Sequence, residues 1–380
     1  MPDVIVMECT TYQQQALTEA LHKGMALLGG WDRFVRPGMK VLLKPNLIGP
    51  KTSASAAVTH AEMLRAVGRI LKSRGSQVWI GDSAGGAIAG VAPTGRAMKI
   101  AGYQAMAEEE GFLIKNFERE GTRQVSPKDA PERLYNLAEP LFSADLVINM
   151  PKLKTHMSST YTGAVKNLFG CVPGLRKAEY HRISPDLHTF GAIIADINFC
   201  VSPALHIMDG VMAMQGRGPT AGSPYPAGKI LMSADPMALD AAACAMLGLS
   251  AESLPVFDSA RERGLGEWRL DRIRLLGDFD RIPALKRYAI PKPMAVGKLT
   301  GRILGGLIDM LKRQPRIDLS ACVDCGLCVE SCPVHAIDGP TKAIDYTACI
   351  QCLCCHELCM EKAVRVVPIN RLVAFFTRER

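Results

Sequence analysis

The sequence predicts an α/β domain, with a mainly parallel sheet and helices on both faces, followed by a small cysteine-rich α+β domain. Two observations predict this arrangement. Short apolar runs alternate with helical patterns over residues 1–281, and nine of the thirteen cysteines lie within residues 317–364. Regular alternation of strand and helix patterns is typical of α/β domains with a parallel sheet.

Several of the predicted strands are apolar throughout, as buried parallel strands are. The predicted strands are residues 4–9, 40–43, 77–80, 145–150, 204–208, 229–233 and 272–276. The helical patterns between them cover residues 13–28, 60–73, 95–110, 185–199 and 236–247. We place the end of this domain at residue 281.

Charged or polar residues directly follow five of these strands. Ligands of open α/β sheets bind at the carboxyl ends of the strands, so these residues are expected to share one crevice. A solvated charge or a helix cap explains any one of them, but not the set. We predict a cationic site for a small anionic substrate, with carboxylates that bind a metal or act as acid–base partners. The predicted binding residues are Lys44, Asn46, Lys152, Lys154, Lys166 and Asn167, and the predicted catalytic residues are Asp82, His156 and Asp209.

The cysteine-rich segment contains two runs with the same spacing. The runs are Cys322, Cys325, Cys328 and Cys332, then Cys349, Cys352, Cys355 and Cys359. This is the spacing of bacterial four-iron cluster runs, in which the fourth cysteine binds the other cluster. The flanking sequence is repeated too: the hexapeptide that begins at Ile317 returns 27 positions later at Ile344. Two clusters are therefore expected. Cys354 lies outside the spacing and has no assigned role, and neither has Cys171.

Residues 317–367 resemble the two-cluster bacterial-type ferredoxins, on this spacing and on Pro333 after the first run. The resemblance implies two [4Fe-4S] clusters: the first held by Cys322, Cys325, Cys328 and Cys359, the second by Cys349, Cys352, Cys355 and Cys332. Leu353, Cys354 and Met360 depart from the pattern. A pair of zinc sites is the alternative, but four-cysteine zinc sites do not account for the third and fourth cysteines of each run.

The large domain resembles the family catalogued as "domain of unknown function 362". The segments that carry the resemblance are Lys44-Pro45-Asn46, Gly81-Asp82-Ser83, the stretch from Asn149 to His156, the stretch from Gly163 to Gly170, Asp209-Gly210 and Ser233-Ala234-Asp235-Pro236. The resemblance implies an iron-sulfur redox protein of anaerobic metabolism. It supplies no reaction.

Residues 282–316 are predicted to form a basic linker with one amphipathic helix. The helix would carry an apolar stripe of Val296, Leu299, Ile303, Leu304, Leu307, Ile308 and Leu311. This stripe could pack on either domain, or it could lie on an anionic membrane surface. Residues 368–380 form a tail. Because the chain opens without a secretory signal and no apolar stretch is long enough to span a membrane, we expect a cytoplasmic protein with reduced cysteines.

These features predict an iron-sulfur oxidoreductase that transfers electrons to a small anionic substrate or cofactor. No nicotinamide or flavin motif is present, so the electron partner is expected to be a low-potential protein. The net charge of +8 falls to about +4 once cluster charges are counted, and no nucleic-acid motif accompanies it. The alternative is a non-catalytic electron carrier or maturation factor that docks on a partner enzyme. A third hypothesis is a serine hydrolase at Ser83, which lies in a Gly-x-Ser-x-Gly pattern but lacks a suitable downstream histidine.

Overall fold

The computed structural model describes residues 1–84, 93–174, 176–184, 186–291, 313–330, 332, 334–349, 354–359 and 361–368. The predicted linker helix and the tail beyond residue 368 lie outside these ranges. So do Cys352, Pro333, Leu353 and Met360, which entered the sequence predictions.

One large sheet organises the α/β domain. In chain order the strands of the protein are β1 (Asp3–Glu8), β2 (Lys40–Pro45), β3 (Gln77–Asp82), β4 (Leu113–Asn116), β5 (Thr122–Val125), β6 (Tyr135–Ala138), β7 (Leu146–Met150), β8 (Lys152–His156), β9 (Thr160–Thr162), β10 (Leu205–Gln215), β11 (Ser223–Tyr225), β12 (Lys229–Ser233), β13 (Arg274–Gly277), β14 (Arg313–Ile317) and β15 (Val364–Pro368). Over the described ranges the large sheet has the order β13-β1-β12-β10-β7-β2-β3-β4, and β8, β9 and β11 join it beside β10.

The pairing is parallel from β10 through β7, β2 and β3 to β4, and again between β1 and β13. Strand β12 runs antiparallel to both of its neighbours, β1 and β10. The sheet is therefore mixed but mainly parallel, as predicted. Its parallel part brings the carboxyl ends of β2, β3 and β7 to one edge.

Helices cover both faces of this sheet. They are α1 (Gln14–Leu27), α2 (Ala61–Ser73), α3 (Thr94–Ile100), α4 (Tyr103–Glu110), α5 (Pro140–Ser143), α6 (Ala164–Asn167), α7 (Arg176–Ile183), α8 (Leu187–Val201), α9 (Pro236–Met246) and α10 (Asp258–Glu262) in the α/β domain, then α11 (Leu327–Glu330) and α12 (Cys354–Leu358). Alternate residues of β2 enter different cores: Leu42 faces one, whereas Val41 and Leu43 face the other. The predicted α/β class with helices on both faces is thus confirmed.

The structure differs from the predicted elements at two informative places. The predicted helix 95–110 is two helices, because Gly102 adopts a left-handed φ of 84° between α3 and α4. Residues 152–156 lie outside the predicted strands and helices, and they form β8 with all five residues buried. A polar sequence such as Lys-Leu-Lys-Thr-His does not show the apolar pattern of a buried strand, so sequence patterns do not detect it.

The cysteine-rich module repeats its own backbone contacts. Ile317 of β14 pairs with Val364 of β15. The residues equivalent to these in the repeat, Ile344 and Ile337, also pair, as an isolated bridge. The hydrogen bonds follow the same rule: Asp318 N donates to Ala363 O at 2.8 Å, and Asp345 N donates to Ala336 O at 2.7 Å. Each contact joins the two halves, so the sequence repeat is a structural repeat with approximate two-fold symmetry.

In the part of the chain that the structure describes, no helix is long and apolar enough to cross a membrane.

Candidate functional site

The first element of the site is a buried ion pair at the ends of β2 and β3. Lys44 Nζ lies 2.8 Å from Asp82 Oδ1, and both side chains are almost completely buried. The other carboxylate oxygen, Asp82 Oδ2, accepts from Leu47 N at 2.9 Å. Burial raises the pKa of Asp82 above its usual value, while the ammonium groups of Lys44 and Lys177 oppose the shift.

A second buried ion pair joins β8 to β10. Lys152 Nζ lies 2.7 Å from Asp209 Oδ2, because the two residues are direct partners in the register of these strands. Tyr12 OH donates to Asp209 Oδ1 at 2.8 Å and accepts from Lys152 Nζ at 3.0 Å. The ring of His60 stacks on that of Tyr12, with centroids 3.7 Å apart. Burial lowers the pKa of Lys152, and Asp209 opposes this shift.

Three asparagines connect the ends of these strands. Asn167 Nδ2 donates to Asn149 Oδ1 at 2.7 Å and to Pro45 O at 3.1 Å. Asn46 Nδ2 donates to Asn167 Oδ1 at 2.8 Å, and Lys154 Nζ donates to Asn46 Oδ1 at 2.6 Å. The predicted residues Lys44, Asn46, Lys154 and Asn167 therefore lie together in one polar network at the sheet edge.

Lys166 and His156 form a contact of a different kind. Lys166 Nζ, on α6, lies 3.0 Å from His156 Nε2 on β8. On the other side of the ring, Nδ1 accepts from the N–H groups of Ser158 and Ser159, both at 3.3 Å. The two nitrogen atoms share one hydrogen bond, in which one member of the pair donates and the other accepts. Such a pair can donate or accept a proton.

Ser83 does not face a histidine. Its Oγ accepts from Lys177 Nζ at 2.5 Å and donates to a carboxylate oxygen of Glu118. Burial lowers the pKa of Lys177 to about 8, and the carboxylates of Glu118 and Asp82 oppose the shift. The hydrolase hypothesis depended on a Ser–His arrangement, and the structure instead places Ser83 in a buried lysine–glutamate cluster.

The structure places every predicted site residue of the α/β domain at the sheet edge, where each has a hydrogen-bond or ion-pair partner within the protein. Lys44 and Lys152 bind Asp82 and Asp209, so the aspartates serve as ion-pair partners rather than as open metal ligands. In the regions described, no three His, Cys, Asp or Glu side chains are gathered around one point as a single metal ion requires. Sequence reasoning missed Tyr12, His60, Asn149, Glu118 and Lys177. Of these, Asn149 lies at the end of β7, where a search for amide side chains could have found it.

The cysteine module gathers the first predicted ligand set. Burial raises the pKa of the Cys328 thiol, and the neighbouring Cys322, Cys325 and Cys359 raise it further. Cys359 packs with Cys328 in one small core, although the chain separates the two by a whole repeat. In a four-iron cluster each thiolate binds a different iron atom. The four cysteines therefore lie farther apart than the ligands of a single metal ion.

The second predicted set is described in part, since Cys352 lies outside the described ranges. Cys355 and Cys332 pack with Cys328 and Cys359 in one small core that also contains Ile337 and Val364. Ala336 N donates to Cys332 Sγ at 3.2 Å, and Ala363 N donates to Cys359 Sγ at 3.1 Å. Backbone N–H groups aimed at both crossing cysteines suit thiolate ligands, because hydrogen bonds to sulfur stabilise its negative charge. The described cysteines are thus a donor set of the kind that binds iron-sulfur clusters.

Gly170 leaves room for the Lys44–Asp82 pair. A Cβ atom at this position would lie 2.2 Å from Asp82 Oδ1 and 2.6 Å from Lys44 Nζ. Gly170→Ala is therefore expected to destabilise the domain by about 1–3 kcal/mol, the usual cost of overpacking. Urea unfolding measures the change. Gly49→Ala is the matched control, because a Cβ there meets nothing within 4 Å; equal stability of the two variants would contradict this packing.

Two sequence-family models and two known proteins match parts of this chain. The sequence model for "Domain of unknown function (DUF362)" matches residues 41–245, and that for the "4Fe-4S binding domain" matches residues 315–338. The "Thylakoid-associated protein sll1697" of Synechocystis sp. is 34% identical over 264 residues, which cover 69% of this chain and 79% of that protein. The lactate racemase apoprotein from Thermoanaerobacterium thermosaccharolyticum aligns with a TM-score of 0.40 and 11% identity, over 63% of this chain and 56% of that chain.

Proposed function

This chain belongs to the DUF362 family and carries a 4Fe-4S binding domain, and from that premise we propose that it is an iron-sulfur oxidoreductase. In this proposal a small anionic substrate or cofactor binds at the sheet edge of the α/β domain, and two [4Fe-4S] clusters in the C-terminal module exchange electrons with it. The observation that carries the proposal is the convergence of lysine, asparagine and histidine side chains from β2, β8 and α6 in one buried network.

The cysteines would hold the clusters in crossed sets. Cys322, Cys325, Cys328 and Cys359 bind the first, and Cys349, Cys352, Cys355 and Cys332 bind the second. The structural repeat supports two sites, because the contacts of the first half recur in the second. When bound, the clusters supply one-electron transfer.

The α/β residues would bind and protonate the substrate. Lys154 and Asn46 carry ammonium and amide N–H donors of the kind that bind carboxylates or phosphates, and Asn167 orients Asn46 by accepting from its amide. The His156–Lys166 pair supplies a proton at the same edge. The two buried Lys–Asp pairs hold the strand ends in place. Pairs of this kind contribute little net stability, because desolvation offsets their attraction, so their presence at a predicted site favours a positioning role.

An electron carrier or maturation factor that docks on a partner enzyme is the second candidate. It accounts for the cysteine module but gives no role to the polar network of the α/β domain. In either case we propose a low-potential protein as the electron partner.

A cytoplasmic location with peripheral membrane contact would agree with the name of the thylakoid-associated relative and with the basic linker of this chain.

Electron paramagnetic resonance tests the proposed site. We expect the spectrum of the anaerobically reduced protein to change when a small carboxylate or phosphate ester from a panel of such anions is added. In Lys154→Met the same anion should leave the spectrum unchanged, because the ammonium group that donates to Asn46 and to Ala57 O is lost. Lys72→Met, on the distant helix α2, is the control and should keep the response. A spectrum that no anion alters would favour the electron carrier.

A further inference from the structure

The short helix α6, which carries Lys166 and Asn167, is bound at its first turn by a buried aspartate. A helix of only four residues is not stable by itself in water, so its position depends on the contacts around it. Asp240 of α9 accepts from Ala164 N at 2.7 Å through Oδ1 and from Val165 N at 3.0 Å through Oδ2. A helix leaves the N–H groups of its first turn without partners. Asp240 therefore binds two donors that α6 itself cannot pair.

Two buried asparagines bind the carbonyl groups of the same turn. Asn149 of β7 donates from Nδ2 to Ala164 O at 2.9 Å, and Asn198 of α8 donates from Nδ2 to Val165 O at 2.8 Å. Both asparagine side chains are buried. The N–H and C=O groups of Ala164 and Val165 are thus each bound by a side chain from a distant segment. These two residues directly precede Lys166, so the contacts fix the backbone from which its side chain extends.

Asp240 fits closely against the start of α6. Tyr161 OH donates to Asp240 Oδ1 at 2.8 Å, which gives the carboxylate a third hydrogen bond. A Cβ atom at Gly163 would overlap both Asp240 Oδ1 and the hydroxyl oxygen of Tyr161. Burial raises the pKa of Asp240 to about 6, and the N–H groups of Val165 and Ala164 oppose the shift. Because burying a carboxylate costs free energy, its presence against α6 favours a role beyond packing.

We propose that Asp240 is a positioning residue for Lys166: by fixing the first turn of α6, it keeps Lys166 Nζ within hydrogen-bond distance of His156 Nε2, at 3.0 Å. This inference rests on the proposed function, in which this pair supplies a proton at the anion site. Proton transfer requires its two heavy atoms at hydrogen-bond distance, so a displaced first turn would separate the pair. The inference adds to the proposed site a buried carboxylate that does not itself contact the anion.

The test is the nitrogen-15 nuclear magnetic resonance signal of His156 Nε2 in the full-length protein with oxidised clusters, because this signal reports the contact with Lys166. Lys166→Met removes the contact and gives the reference position of the signal. An asparagine amide has one acceptor oxygen and one NH2 group, so in Asp240→Asn one N–H group of α6 loses its acceptor. We expect this variant to show most of the shift that Lys166→Met produces.

Tyr161→Phe is the matched control. It removes one hydrogen bond of the same carboxylate but keeps both bonds from Asp240 to the backbone of α6. It should therefore lower stability in urea without moving the His156 signal. Asn198→Leu removes the donor to Val165 O and should move the signal in the same direction as Asp240→Asn. This variant keeps the test decisive if Asp240→Asn does not fold.

The outcomes separate this inference from the proposed function. A His156 signal that stays at its wild-type position in both Asp240→Asn and Asn198→Leu would overturn the inference and leave the proposed function intact. If Tyr161→Phe shifted the signal as much as Asp240→Asn, general loosening of the core would explain the shift, and the inference would be wrong. If no anion altered the paramagnetic resonance spectrum of the wild-type protein, the proposed function would fail, whereas the His156 signal would still decide whether Asp240 positions Lys166.

Discussion

Cys359→Ser is expected to reduce the iron content from about eight to about four atoms per chain, because the serine side chain no longer supplies the fourth thiolate of the first cluster. Cys359 belongs to the second run in the sequence but lies beside Cys328 of the first run in the structure. Its Sγ also accepts from Ala363 N at 3.1 Å, a contact that orients it toward the interior of the module. Crossed ligand sets further predict that Cys359→Ser removes the same signal as Cys322→Ser, whereas a separate cluster for each run would make these two variants remove different signals.

Cys332→Ser is the symmetry-related variant and should remove the other cluster. Iron analysis and low-temperature electron paramagnetic resonance on anaerobically purified protein would measure both changes. Cys200→Ser, which removes a half-buried thiol of α8 in the α/β domain, should keep full iron. If Cys359→Ser and Cys322→Ser eliminated different signals, the crossed arrangement would be excluded.

Lys44→Met should have the largest effect on the stability of the α/β domain. It leaves Asp82 buried beside an apolar side chain, and breaking a buried pair in this way costs about 3–5 kcal/mol. The double variant Lys44→Met/Asp82→Leu removes both charges and should recover a large part of the loss. Urea unfolding of both variants measures these differences. Arg69→Met breaks an ion pair to Glu110 whose arginine is about half exposed, and it should cost less than about 1 kcal/mol.

The loss in Lys44→Met should also depend on pH. The pKa of Asp82 is already raised by burial, and it rises further when Lys44 is removed. A carboxyl group whose folded pKa exceeds its unfolded value binds more protons in the folded state, so stability falls as the pH rises through that window. The deficit should therefore shrink as the pH is lowered toward the unfolded pKa of aspartate, about 4. A deficit that is the same at every pH would show that the lost packing, and not the unpaired charge, is responsible.

The sequence predicted that the site residues meet, but not how they pair. Polar residues after parallel strands share one sheet edge whatever the details of the register, and that rule placed Lys44, Asp82 and Asp209 together. Pairing depends on register, which a single sequence does not contain. Lys152 contacts Asp209 because it lies on β8. The polar sequence of β8 does not show the apolar pattern of a buried strand, so sequence patterns did not predict this strand.

The cysteine module was more predictable, for a physical reason. The ligands of such clusters are cysteine thiolates at short, fixed spacings. The residue type and the spacing along the chain therefore suffice to predict the site. The 27-residue repeat then predicted equivalent contacts, and the structure has them at Cys332 and Cys359 and at Ile317 and Ile344. No comparable rule marks Tyr12, His60 or Lys177. Their roles arise from a stacked ring and from buried contacts between distant segments, which have no fixed spacing in the sequence.

The most direct test of the central claim is a count of iron and acid-labile sulfide in wild-type protein purified without oxygen. Two crossed [4Fe-4S] clusters predict about eight of each per chain. A value of about four of each would leave one of the two ligand sets without a cluster. Zinc in place of iron, with no sulfide, would contradict the redox function altogether.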